Sequence, residues 1–194
     1  MSAERWLVVG LGNPGPGYAG NRHNVGQLVL DELATRLDVG FRRHRTSSAV
    51  AEGRFVPGGP QLILAKPNSF MNLSGSPVSQ LLAFYALQPD RLIVVHDELD
   101  LPFNTLRLKL GGGHGGHNGI RDVLAALGSG NFIRVRVGIG RPPGRQAAAE
   151  YVLRDFPGAE RERLPMVLSD AADAVQSIIG DGLAAAQLRF HTTP

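Results

Sequence analysis

Two histidines, an aspartate and three asparagines stand where loops meet apolar segments. His23 lies in Arg22-His23-Asn24, ahead of an amphipathic stretch. Asp97 and its neighbours His96 and Glu98 close an apolar run. Asn13 follows another such run, Asn72 sits in Met71-Asn72-Leu73-Ser74, and Asn118 follows His117 in the glycine-rich segment GGGHGGHNG at 111–119. One imidazole, one carboxylate and three amides suit hydrolysis by water. Histidine would take the proton of the water and aspartate would orient the ring. The amides would hold a carbonyl and its developing oxyanion. Taken singly, each asparagine is as much at home in a turn or a cap.

Other chemistries fit less well. With no cysteine in the chain, disulfides, thiolate zinc sites and a cysteine nucleophile are excluded. There is no G-x-S-x-G and no Gly-Lys-Ser/Thr triplet, which argues against a serine elbow and a P-loop. Gly10-Leu11-Gly12-Asn13-Pro14-Gly15 matches G-x-G-x-x-G, with Asp31 or Glu32 further on. That fingerprint opens its helix inside the motif, whereas Pro14 to Gly17 prolong a loop here. No dinucleotide is expected. His114 and His117 with Asp97, Glu98 and Asp100 could form a histidine–carboxylate metal site, but H-E-x-x-H is absent and no metal is expected.

Elements able to carry these residues follow from periodicity. Trp6–Gly12, Ala49–Phe55, Gln61–Ala65, Arg91–His96, Leu106–Leu110 and Ile133–Ile139 have strand patterns. Helices are expected over Asn24–Leu37, from Ser74 as N-cap through Tyr85, over Asn118–Leu127, and through most of the tail from Pro157. Strands alternating with helices predict a single three-layer α/β/α domain over 1–194, around a mixed, mostly parallel twisted sheet. A chain of 194 residues that is 43% hydrophobic suits one domain with a core of its own. No stretch approaches the ~20 apolar residues of a membrane span, and the run from Trp6 is too short for a signal peptide.

Net charge is only +3, but it is unevenly spread. Segment 101–145 carries +6, segment 41–54 carries +3, and residues 146–194 carry −3. Basic segments of this kind are the usual footprint of a phosphate-rich partner. A non-enzymatic RNA-binding module would account for them, but it leaves the His, Asp and Asn set without a purpose.

The segments GLGNPGPGYAGNRHNVG (10–26), KPNSFMNLSG (66–75), VVHDELDLP (94–102), LKLGGGHGGHNGIRD (108–122) and RVRVGIGRPPG (134–144) resemble the bacterial peptidyl-tRNA hydrolase family in order and spacing. The likeness runs from about Trp6 into the C-terminal helices. It implies a monomeric cytoplasmic enzyme with no cofactor, acting in translation. Its reaction would cleave the ester between a peptide, or an N-blocked aminoacyl group, and the 3′ ribose of tRNA, releasing the tRNA for reuse. The partner would be peptidyl-tRNA, held at its acceptor stem and 3′ end. The resemblance makes His23 the base and Asp97 its acidic partner. It assigns Asn13, Asn72 and Asn118 to the peptide and the reacting carbonyl, Tyr18 to the 3′ end, and His117 to the substrate channel. Lys109 and Arg136 match positions that hold tRNA phosphate, and His114 receives no role.

Overall fold

Strand β1 (Arg5–Gly10) alternates its side chains between two cores, Trp6 and Val8 facing one and Leu7 and Val9 the other. This is the sequence signature of a strand covered on both faces. The computed structural model describes residues 4–191. Strands β2 (Arg42–His44), β3 (Ser48–Gly53), β4 (Gln61–Pro67), β5 (Leu92–Glu98), β6 (Leu106–Leu110) and β7 (Ile133–Gly138) complete a seven-stranded sheet, ordered β2-β3-β4-β1-β5-β7-β6. The β4-β1-β5-β7 centre is parallel, while β2-β3, β3-β4 and β6-β7 pair antiparallel. The sheet is therefore mixed, with only β3 and β6 running against the other strands.

Helices α1 (Val25–Leu37), α5 (Gly158–Asp181) and α6 (Leu183–Phe190) bury apolar residues against the Trp6 face. Helices α2 (Gly75–Tyr85) and α3 (Asn118–Leu127) do the same on the Leu7 face. Short α4 (Ala148–Val152) belongs to the cleft described below. The expected three-layer arrangement is present. Among the described residues, no helix is long and apolar enough to cross a membrane.

Several boundaries differ from the periodicity reading. Strand β5 does not stop at His96. It stays paired with β7 as far as Glu98↔Gly138, so His96, Asp97 and Glu98 are strand residues. Polar side chains with partners at a sheet's end need not end the strand. Helix α1 begins one residue late, after a 3-10 turn at Arg22–Asn24. Ser74 holds the expected N-cap position of α2, but its side chain makes no capping hydrogen bond. Its backbone is already helical, and its hydroxyl donates to Met71 O at 2.7 Å. The Asp122 carboxylate on α3 accepts from Gly75 N at 2.7 Å instead, capping one helix from another. Strand β2 was not expected, because Arg-Arg-His has no apolar alternation.

Two glycines bring α1 down onto the ends of the central strands. A Cβ on Gly26 would lie 2.2 Å from Val95 O, and one on Gly10 would lie 2.4 Å from Gly26 O. The helix backbone rests directly on the β1 and β5 ends, which is how the turn carrying His23 reaches β5. Gly26→Ala should destabilise the protein by about 2 kcal/mol or more, as overpacking against rigid backbone does. The same change at Gly180 in α5, where a Cβ meets nothing within 4 Å, should instead stabilise by about 0.5–1 kcal/mol. Denaturant unfolding of the two variants measures both signs.

Candidate active site

The parallel strands deliver their C-terminal ends to one edge of the sheet, where ligand sites of open α/β folds form. The last residues of β5 bring Asp97 there, 3% exposed. A buried carboxylate needs partners, and two imidazoles supply them. His23 Nδ1 lies 2.9 Å from Asp97 Oδ2 and 3.0 Å from Oδ1, and His117 Nε2 lies 2.8 Å from Oδ1. His23 comes from the 3-10 turn ahead of α1, and His117 is the N-cap of α3.

The hydrogen-bond network settles where the ring protons sit. His117 Nδ1 accepts from Gly119 N at 3.1 Å and Ile120 N at 3.2 Å, so its ring proton is on Nε2 and donates to Asp97. His23 donates from Nδ1, which leaves its Nε2 lone pair turned away from the carboxylate. Burial opposes the charged form of His23. The adjoining Asp97 carboxylate outweighs that and raises the imidazole above its ordinary 6.5. Burial would likewise raise Asp97, but the two imidazoles hold it well below the usual carboxylate range.

His23, Asp97 and His117 also form the one group among the described residues whose ligand atoms, within 4.8 Å of one another, could gather a metal ion. All three atoms are already committed to hydrogen bonds within the group, which a metal would have to displace.

Around His23 lie two hollows of about 140 Å³ and 290 Å³. They share His23, Asn118, Ala149 and Val152, and so form one cleft. Glu98, Gly115, Gly116 and His117 line the smaller part, while Asn13, Phe70, Met71 and Asn72 line the larger. Asn13, Asn72 and Asn118 thus converge with His23. Asn13 is held most firmly. Its Oδ1 accepts from Met71 N at 2.7 Å, leaving its Nδ2 to the cleft, while its backbone exchanges two hydrogen bonds with the Asn24 amide, at 3.0 and 2.9 Å. Asn118 Oδ1 accepts from Arg121 at 3.1 Å, which likewise leaves its amide nitrogen to donate. Tyr18 reaches the rim, its ring edge-on to Phe70 at 6.3 Å.

Lys109 and Arg136 stand apart from the cleft. On β6 and β7, Leu106, Leu108, Val135 and Val137 face the α5–α6 core. Arg107, Lys109, Arg134 and Arg136 therefore share the opposite face, with Arg107 opposite Arg136 and Lys109 opposite Arg134. Lys109 is exposed. Arg136 is ion-paired through Nε and Nη2 with Glu98. Arg134 is spent on structure, binding the carbonyls of Gly112 and Gly113.

Sequence reasoning missed the residues that hold these groups. Asn24 fixes the Asn13 loop. Arg22 is 7% exposed, donates to Tyr151 O at 3.0 Å, and stacks 3.8 Å above the Tyr151 ring. Tyr151 Oη in turn donates to Ile139 O at 2.8 Å. Together they tie α4, which roofs the cleft, to the residue beside His23. The R-H-N triplet marked Asn24 and Arg22 only as neighbours of the histidine, and nothing marked Tyr151.

Histidine must be neutral to accept a proton. A base raised above 6.5 gives activity that falls as pH drops through that raised value. In Asp97→Asn only the opposing effect of burial remains, so the inflection of kcat/KM should move to lower pH and the plateau should drop. A pH–rate profile of both proteins measures this.

Residues 7–194 match the family described as Peptidyl-tRNA hydrolase. The chain is 70% identical to the peptidyl-tRNA hydrolase of Leifsonia xyli subsp. xyli, covering 96% of this chain and 97% of that protein. It is 58% identical to the one from Pseudarthrobacter chlorophenolicus, covering 97% and 96% respectively. The crystal structure of peptidyl-tRNA hydrolase from Acinetobacter baumannii superposes with a TM-score of 0.89 at 33% identity, covering 98% of this chain and 97% of that one. The chain therefore belongs to the peptidyl-tRNA hydrolase family of hydrolases.

Proposed function

We propose that this protein hydrolyses the ester between a peptide, or an N-blocked aminoacyl group, and the 3′ ribose of tRNA, with water activated by His23. One observation carries the reading: the Asp97 carboxylate is shared by two imidazole N–H groups, and His23 Nε2 is left open among three asparagine amides. His23 Nε2 takes a proton from water, which attacks the ester carbonyl. Asp97 stabilises the imidazolium so formed. Amide N–H groups of Asn13 and Asn118 donate to the oxyanion, and Asn72 holds the peptide. On collapse of the intermediate, the ribose oxygen leaves with the proton from His23. An ester has a good leaving group, so no covalent step is needed, and no metal or other cofactor enters the scheme. The reading includes a monomer acting in the cytoplasm, which rests on the family resemblance.

His23→Ala should lower turnover of N-blocked aminoacyl-tRNA by more than about 100-fold with little change in tRNA affinity. The assay is run with a chelator present, and near-normal turnover in the variant would move the base elsewhere.

In this reading Lys109 and Arg136 grip tRNA phosphate, with Tyr18 near the 3′ end. Glu98 occupies Nε and Nη2 of Arg136, and Nη1 remains for a phosphate oxygen. Lys109→Ala and Arg136→Ala should each weaken tRNA binding and flatten the slope of log K against log salt by about 1. Titrations at several salt concentrations measure the slope, and an unchanged slope would put the tRNA on another face.

A further inference from the structure

His96 is a buried titratable group that this chemistry leaves unused. It is 4% exposed and faces the same side of β5 as the core residues Leu92 and Val94. An apolar side chain would meet no penalty there, whereas a buried imidazole needs partners. His96 has one hydrogen bond, from Nδ1 to Asp97 O at 2.8 Å. Its Nε2 is buried with no hydrogen-bond partner among the described residues. Its ring packs at 4.9 Å and 68° against the His117 ring, which itself packs 4.9 Å from that of His23. One side chain thus touches the backbone that carries the carboxylate and one of the two imidazoles that share it.

We propose that His96 is a positioning residue for the His23–Asp97 pair. Its Nδ1–H pins the Asp97 carbonyl, and its ring holds His117 at the rotation that directs Nε2–H to the Asp97 carboxylate. The proposal rests on the reading of His23 as base and Asp97 as its partner. His117, Asp97 and Arg134 are the charged or titratable groups acting on His96. Burial, and then His117, push its pKa down to about 3, so the ring stays neutral, and the bond to Asp97 O keeps its one proton on Nδ1. A neutral group of fixed tautomer can serve as a constant brace, and it does not exchange protons with the base.

His96→Phe keeps the ring and removes the donor, while His96→Asn returns an N–H close to the Nδ1 position. kcat should fall about 10-fold or more in His96→Phe, as misplaced catalytic groups do, with KM within about 2-fold because His96 itself does not line the cleft. His96→Asn should recover part of the loss. In an Asp97→Asn background, His96→Phe should change kcat by less than about 2-fold, since both act through one carboxylate. Unchanged kcat in a folded His96→Phe protein, or a full further loss in the Asp97→Asn background, would overturn the proposal. Imidazole 15N shifts of the unmutated enzyme supply a test that needs no variant. They should show His96 as the Nδ1–H tautomer and His117 as the Nε2–H tautomer, and His117 carrying its proton on Nδ1 would also overturn it. If Asp97→Asn and His23→Ala themselves leave kcat intact, the underlying reading of the pair has failed. If they abolish activity while His96→Phe does not, only the role of His96 has.

Discussion

A carboxylate withdrawn from water between two imidazoles is the constraint around which the rest is arranged. Asp97 cannot sit at 3% exposure without donors, because an unpaired buried charge costs several kcal/mol. Each donor comes from a different element. His23 arrives on the turn before α1, which comes close enough only because Gly10 and Gly26 let backbone rest on backbone. His117 arrives as the cap of α3, and the two amides it accepts from decide which nitrogen faces Asp97. Strand β5 must stay paired to Glu98 for Asp97 to reach the meeting point. Removing one of these would cost the charge a partner, so the sheet end, two helix starts and the cleft are coupled through a single side chain.

The basic residues divide more finely than their count suggests. Segment 101–145 carries +6, yet its cations do different work. Arg134 holds the glycine-rich loop by two carbonyls, a structural task. Arg121 orients Asn118. Arg136 is shared with Glu98, next to Asp97 in the chain. Lys109 is exposed on the edge strand β6. A basic, short edge strand also discourages pairing with another sheet, which accounts for Arg42 and Arg43 on β2 without any partner.

How much could be read from the chain depended on whether a residue's task was local. Strands and helices with clean apolar periods, such as β1, β7 and α1, were legible because period reports burial directly. The site residues were legible because imidazoles, carboxylates and amides at element ends are conspicuous. The supports were not. Ser74 occupies the N-cap position of α2, but the capping hydrogen bond comes from Asp122 on another helix, and no local motif encodes that contact. Tyr151 meets Arg22 across 129 positions, and Asn24 acts through its neighbour's backbone. His96 looked like the polar last residue of a strand, yet the strand runs on past it and its place in the alternation turns it into the core. Gly26 resembles any helix-interior glycine until Val95 O is seen beneath it.

With His23 as the proposed base, its raised pKa and its strength as a base are one interaction seen in two states. Asp97 favours the imidazolium, so the folded pair is most strongly bonded when His23 is protonated. That contribution to stability is fully present below the unfolded histidine value of about 6.5, and it is lost as pH rises through the raised folded value. Asp97, held low, contributes in the opposite window. Its stabilisation is present above the unfolded value of about 3.9 and is lost only as pH falls through its depressed folded value. At the pH where the enzyme is ready, His23 is neutral and part of the pairing energy is unrealised. In the proposed reaction it returns when the water proton arrives, because the imidazolium–carboxylate pair forms again as the oxyanion develops. An interaction stronger in the transition state than in the ground state is what accelerates the chemical step. The buried carboxylate provides one with groups already in place, and the accompanying requirement is a pH high enough to keep the base neutral.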